Sequence, residues 1–214
     1  MQGVQPRMSK KVTRNLLSEI NRILDISDSY QAPEKMMSII REPEIAKQYY
    51  FKFMKLFDYD FSREWFNDYF EEEHADRKNN KQDFTPTCVS NLMAEIFGDK
   101  EERQEGIIYE PAAGTGSTII AHWYKEHQKC AIWNYNPLSC LYICEELSDK
   151  TIPFLLFNLL IRGMNAVVIH GNTLTRQAKA VYHCFNEENN SMGFSTLFEL
   201  PKNERTETMF NVQF

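Results

Sequence analysis

Ile107-Ile108-Tyr109-Glu110-Pro111-Ala112-Ala113-Gly114-Thr115-Gly116-Ser117-Thr118-Ile119-Ile120 decides the fold of this chain. An apolar run ends in a carboxylate, a Gly-x-Gly turn follows, and the residues after it suit a helix. Strand, tight glycine turn and helix form the opening unit of a nucleotide-binding α/β sheet. Gly114 and Gly116 carry no Cβ, so the backbone there can pass close to a ligand. The turn has Ala112 and Thr115 and no Lys-Ser/Thr pair, so it is no phosphate-gripping P-loop. The third glycine of the dinucleotide fingerprint is also missing.

Downstream, the glycine turn leads into a helix expected over residues 117–127, then into a polar stretch to residue 140. Residues 141–147 read as a second strand with the pair Glu145-Glu146 near its end. Residues 149–164 read as a helix apolar on nearly every face, hence buried against a sheet. Pro153 falls in its first turn, where a missing N–H costs little. Residues 165–170 form a third strand, closed by Gly171-Asn172-Thr173-Leu174. This β-α-β-α-β order predicts an α/β, doubly wound, Rossmann-like parallel sheet with right-handed crossovers. Residues 180–185 and 196–200 are candidate further strands, and Pro201 onward reads as a C-terminal tail.

Upstream, apolar residues at three- and four-residue steps predict a helix over 11–26. Pro33 starts another, and a third covers 44–56. Ser62 is the expected N-cap of a helix through Trp65, Tyr69 and Phe70. These aromatics suit a core better than a base-stacking platform. Phe84-Thr85-Pro86 is a rigid extended lead-in to a helix over 89–97. The expected organisation is a helical domain over 1–80, an α/β domain over 81–200 and a tail over 201–214.

The bulk properties bound the function. Of 214 residues, 43% are hydrophobic, which is ample for a packed core. The formal net charge of −6 argues against a nucleic-acid binder working through charge alone. Five cysteines in no framework spacing read as reduced thiols, and no apolar leader is visible at the start. The apolar run 152–161 is too short to cross a bilayer. A soluble, cytoplasmic protein without a membrane partner is the expectation. Cys140, Cys144, His122, His127, His170, His183 and Cys184 match no zinc-finger spacing, so no metal is expected.

Four of these motifs, in order, resemble the adenine-N6 DNA methyltransferases. The likeness is to modification subunits of type I restriction systems and to short methylase-like proteins of bacterial phages. Phe84-Thr85-Pro86 is similar to the family's F-x-T-P motif, and the stretch from Glu110 to Gly116 to its D/E-P-A-x-G-T-G loop. Glu146, with Asn158 and Gly163 after it, resembles the pattern following the second strand. Gly171-Asn172-Thr173-Leu174 resembles G-D-T/S-L. The resemblance spans residues 62–175 and implies S-adenosylmethionine as cofactor. It places Gly114 and Gly116 at the methionine portion, within the segment Glu110, Pro111, Ala112, Gly114, Thr115 and Gly116, with Glu110 near the amino end. Glu146 would take the ribose hydroxyls, and Asn172 with Leu174 would meet adenine. Phe84 would pack on the cofactor and Thr85 bond its carboxylate, with Pro86 fixing the lead-in.

Methyl transfer to an exocyclic amine also needs the base flipped out and its amine held by two acceptors. The family uses Asn/Asp-Pro-Pro-aromatic after a fourth strand, and no Pro-Pro occurs in this chain. Asn136-Pro137 precedes the second strand. Asn186 follows a candidate strand but continues into Glu187-Glu188-Asn189, so it is a weak catalytic candidate. The expectation is a catalytically degenerate S-adenosylmethionine binder, a partner or regulator in a restriction–modification, phage–host or DNA-processing complex. DNA would be reached through a partner subunit. The alternatives are an active adenine-N6 methyltransferase completed by that subunit, and a cofactor-free interaction module.

Overall fold

A computed structural model of the chain describes residues 10–70, 85–97 and 106–214, with side chains from residue 16 and, in the second stretch, up to residue 96. Three helices open it: α1 (Lys10–Leu24), α2 (Ala32–Ile40) and α3 (Pro43–Leu56). Pro33 and Pro43 sit in first turns, where no helical N–H is lost. Met36, Ile39 and Ile40 of α2 and Ala46, Tyr50, Phe53 and Met54 of α3 are buried at helical spacing.

The next helix begins at residue 67, later than the Ser62 cap predicts. The Ser62 hydroxyl donates instead to Asp60, and Glu64 does the capping. Its carboxylate accepts the N–H groups of Phe66 at 2.8 Å and Asn67 at 2.6 Å. Residues 61–66 thus form an irregular strap. Trp65, Tyr69 and Phe70 are all buried, as their spacing predicts.

The sheet has the order β1-β2-β3-β4-β5 among the described residues. β1 is Gly106–Glu110, β2 Cys140–Glu146, β3 Ala166–Asn172, β4 Gln177–Phe185 and β5 Thr196–Glu199. The first three are parallel, and β4 and β5 are antiparallel additions. The chain is α/β as expected, but the doubly wound arrangement is not seen. Among the described residues the strand order never reverses, and β1 is an edge with Ile107 65% and Tyr109 51% exposed. The cause is the short link between β3 and β4, residues 173–176. A parallel neighbour needs a crossover of about a dozen residues, so this link permits only a hairpin.

The two crossover helices, α5 (Ser117–Gln128) and α6 (Ile152–Ile161), cover one face of the sheet. Helix α4 (Thr87–Phe97) packs on α5, where Lys125 donates to the Ala94 carbonyl. Every residue of α6 is buried, because the N-terminal helices cover the side the sheet leaves open. Phe157 meets Phe53 and Phe154 meets Phe66 edge-to-face, each pair at 4.9 Å between centroids. One core is therefore continuous from α1 to the sheet.

The opposite face is smaller. Val167, Ile169 and Val181 pack against Val212, with Leu200, Phe210 and Phe214 alongside. The segment expected as a tail contains α7 (Glu204–Phe210), capped by the Asn203 side chain, and Gln213 bridges to Gln177 of β4. The apolar residues Phe210, Val212 and Phe214 give this short segment its anchor.

Candidate functional site

The carboxyl ends of β1, β2 and β3 meet at the glycine turn. Gly114 has φ +56° and Gly116 φ +101°, conformations that a side chain rarely adopts. Gly116 is the N-cap of α5, and its amide donates to Ala113. A Cβ on Gly116 would stand 3.1 Å from Leu155 Cδ1 and 3.3 Å from Ile120 Cδ1. The turn therefore lies flush on α6, with its other side outward.

Two carboxylates at the end of β2 hold different partners because successive side chains point to opposite faces of a sheet. Glu146 reaches the turn: its Oε2 accepts from Gly114 N at 2.9 Å and its Oε1 from Ser148 N at 2.8 Å. The Glu145 carbonyl accepts from Ala113 N at 2.9 Å, so β2 grips the turn through backbone and side chain together. The Glu145 carboxylate turns to the other face, where Arg176 Nη1 donates to both oxygens at 2.8 and 2.9 Å and the Tyr109 hydroxyl donates at 2.8 Å. Burial, then the Glu145 bond, raises the Tyr109 pKa, while the Glu145 bond holds Arg176 more firmly protonated. Partial burial also raises the Glu110 carboxyl, against one backbone bond from Ala112.

The third strand ends in a turn built by Asn172. Its Oδ1 accepts from Leu174 N at 2.9 Å and Thr175 N at 3.1 Å, and the Thr173 hydroxyl donates to the Pro111 carbonyl at 2.8 Å. Leu174 is left 93% exposed. The Asn172 oxygen assigned to adenine from the sequence is thus engaged in its own turn. Pro111 and Ala112 are exposed on the turn. Thr85 is half-buried and Pro86 exposed, with the Pro86 carbonyl opening α4 by accepting from Val89 and Ser90. Phe84 lies outside the described residues.

Thr115 and Asn186 stand elsewhere than the sequence reading placed them. Thr115 is 1% exposed and faces inward, its carbonyl accepting from Asn158 Nδ2 at 2.9 Å. Asn186 follows β4, which runs antiparallel and carries it to the amino end of β3, away from the glycine turn. Its side chain donates to Gly163 and Asn190 carbonyls and accepts from Asn190 N. An amide so engaged is a structural bracket.

A model of the N-6 DNA Methylase family matches residues 62–202, well over half of the chain. The chain belongs to the N-6 DNA methylase family. No curated protein and no solved structure gives a match. The matched span of this methylase-family chain starts in the strap and takes in the glycine turn, β2, β3 and the β4–β5 hairpin. No helix among the described residues is long and apolar enough to cross a membrane.

Glu64 and Arg162 are the residues that sequence reasoning missed. Arg162 Nη1 donates to the Asn158 carbonyl at 2.9 Å and to Asn158 Oδ1 at 3.0 Å, while Nε and Nη2 donate to the carbonyls of Phe61 and Arg63. A signal for Arg162 did exist, since it is the lone charge in the apolar run 152–164. Glu64 had none, because its role depends on what the strap folds against.

Proposed function

We propose that this methylase-family chain binds S-adenosylmethionine at the glycine turn and acts through binding rather than methyl transfer. The observation carrying this is the bond from Gly114 N to Glu146 at 2.9 Å, which joins the glycine turn to an acidic residue at the carboxyl end of β2. That juxtaposition suits a ligand with a charged amino-acid end and a ribose. The residues fit the cofactor. Gly114 and Gly116 give backbone access to the methionine portion, the half-buried Glu110 faces its amino group, and Glu146 has lone pairs left for ribose hydroxyls. Leu174 and the turn around Asn172 would border the adenine, and Thr85 and Pro86 would close the lead-in side. When bound, the cofactor supplies an electrophilic methyl group.

The target-amine side is what argues against transfer. The chain contains no Pro-Pro, and the amide of Asn186 is engaged with Gly163 and Asn190 at the far end of the sheet. The chain would then serve as the cofactor-bound partner or regulator of a restriction–modification or DNA-processing complex, meeting DNA through another subunit.

Calorimetric titration with S-adenosylmethionine tests the reading. Wild type releases heat and Glu146→Ala does not; no heat from wild type removes the cofactor assignment. Cofactor at about a hundred times its Kd adds ~2.7 kcal/mol to native stability, which thermal unfolding detects. Labelled methyl transfer to mixed-sequence DNA by this chain alone would overturn the non-catalytic half.

A further inference from the structure

Behind the glycine turn lies a cluster of polar groups that no ligand contact explains. Asn158, in the middle of the apolar helix α6, is fully buried and donates from Nδ2 to the Thr115 carbonyl at 2.9 Å. The same Nδ2 reaches Glu64 Oε2 at 3.5 Å. Its Oδ1 accepts from Arg162, which also holds the strap carbonyls of Phe61 and Arg63. The Arg162 guanidinium lies over the Trp65 ring at 5.0 Å and the Phe61 ring at 5.7 Å. Glu64 and Arg162 are each 4% exposed. The Thr115 backbone is therefore held from inside the protein, by groups that also fix the strap.

We infer that Glu64, Asn158 and Arg162 are positioning residues for the cofactor turn, transmitting the docking of the N-terminal strap to the backbone of Thr115. The inference rests on the cofactor reading above and extends it to residues that touch no ligand. The physical reason is the shape of the turn. Two residues at positive φ flank Thr115, and a turn of this kind has no ladder of its own to hold it. Its orientation comes from Glu146 on one side and Asn158 on the other. Releasing the Thr115 carbonyl removes the anchor on the α6 side and leaves the turn held through Pro111, Ala113 and Gly114, so the amides meant for ligand lose their fixed direction. Preorganisation of this kind appears as binding affinity. It also explains why an asparagine occupies the centre of an otherwise apolar helix, where a leucine would pack without needing partners.

The experiment compares S-adenosylmethionine affinity in wild type, Glu64→Gln and Asn158→Leu, with Val181→Ala as a core control on the opposite face. Glu64→Gln keeps the shape of the side chain and loses its charge, so it reports even where Asn158→Leu fails to fold. Glu64→Gln and Asn158→Leu weaken binding by tenfold or more, as expected for losing one hydrogen bond to a charged or buried group, at about 1.4 kcal/mol per decade. Hydrogen exchange over residues 110–118 rises in both variants and not in Val181→Ala. Absence of binding by wild type defeats the cofactor reading itself. Wild-type affinity in folded Glu64→Gln, or an equal loss in Val181→Ala at matched stability, overturns the positioning role while leaving that reading intact.

Discussion

Gly116→Ala tests how tightly the glycine turn is seated on α6. Two costs add. Gly116 has φ +101°, so an alanine there carries backbone strain of about 1–3 kcal/mol. Its Cβ would also stand 3.1 Å from Leu155 Cδ1 and 3.3 Å from Ile120 Cδ1, inside the usual 3.5–4.0 Å carbon contact. Leu155 is fully buried, so its methyl has little room to withdraw, and overpacking adds about 1–3 kcal/mol. The expected loss is roughly 2–6 kcal/mol, or about 4–24 °C in Tm for a chain of this size. Leu155→Ala alone loses about 2–5 kcal/mol through its cavity. The double variant is expected to lose less than the two singles together, by about 1–2 kcal/mol, because the new methyl then fills part of that cavity. Urea unfolding of the four proteins, with m-values checked for equality, measures this coupling. Strict additivity to within about 0.5 kcal/mol would refute the seating of the turn against Leu155.

Two further outcomes follow from charged and titratable groups. Arg176→Met leaves the Glu145 carboxylate buried without its cation, and loses the donors to the Phe210 and Asn211 carbonyls. A loss of about 3–5 kcal/mol is expected, with faster hydrogen exchange over residues 204–214, and unchanged exchange there would contradict it. Burial lowers the His183 pKa, so the unfolded chain takes up this proton before the native one as pH falls below the free imidazole value. Stability from this group is full above that value and is lost on acidification toward the native pKa. The pH slope of unfolding free energy below pH 6.5 is therefore shallower in His183→Gln than in wild type; equal slopes would count against it.

The strands were legible because each had an apolar run punctuated by a turn signal, and Glu146 could be placed at the carboxyl end of β2, although its bond to Gly114 was not foreseen. The doubly wound topology was misjudged where the decisive quantity was a distance along the chain. Asn172 ends β3 and Gln177 opens β4, so the link was too short for a crossover, and the Gly-Asn-Thr-Leu signal drew attention to a ligand instead. Asx-turn chemistry explains that asparagine locally, through Leu174 and Thr175. The segment after Pro201 was misjudged because its helix is too short to show a period. Phe210, Val212 and Phe214 become a covering layer only once β3 and β4 supply a surface. Glu64 was invisible for a related reason. Its partners are Phe66 and Asn67 nearby but Asn158 far along the chain, and no local pattern encodes the distant one.

The buried trio Glu64, Asn158 and Arg162 raises an energetic question, since buried charges often cost more than they contribute. Burial raises the Glu64 carboxyl pKa, against bonds from Phe66 and Asn67, and lowers the Arg162 guanidinium to about 9, against the pull of Glu64 and Asp60. Apolar replacement of such a trio can be neutral where the side chains bond only one another. Here they also satisfy backbone. Glu64 accepts from Phe66 N and Asn67 N, Arg162 donates to the Phe61 and Arg63 carbonyls, and Asn158 donates to the Thr115 carbonyl. The strap 61–66 has no ladder of its own to take these groups over. A Glu64→Leu, Asn158→Leu, Arg162→Met triple variant leaves these groups orphaned at about 1–3 kcal/mol each where water cannot reach them. That sum is comparable to the whole stability of a domain. The triple variant is therefore expected to detach the strap from α6, read as proteolytic cleavage and fast exchange within residues 60–70, or to unfold outright. Stability within about 2 kcal/mol of wild type, with the strap still protected, would show that the network serves its charges and not the backbone it caps.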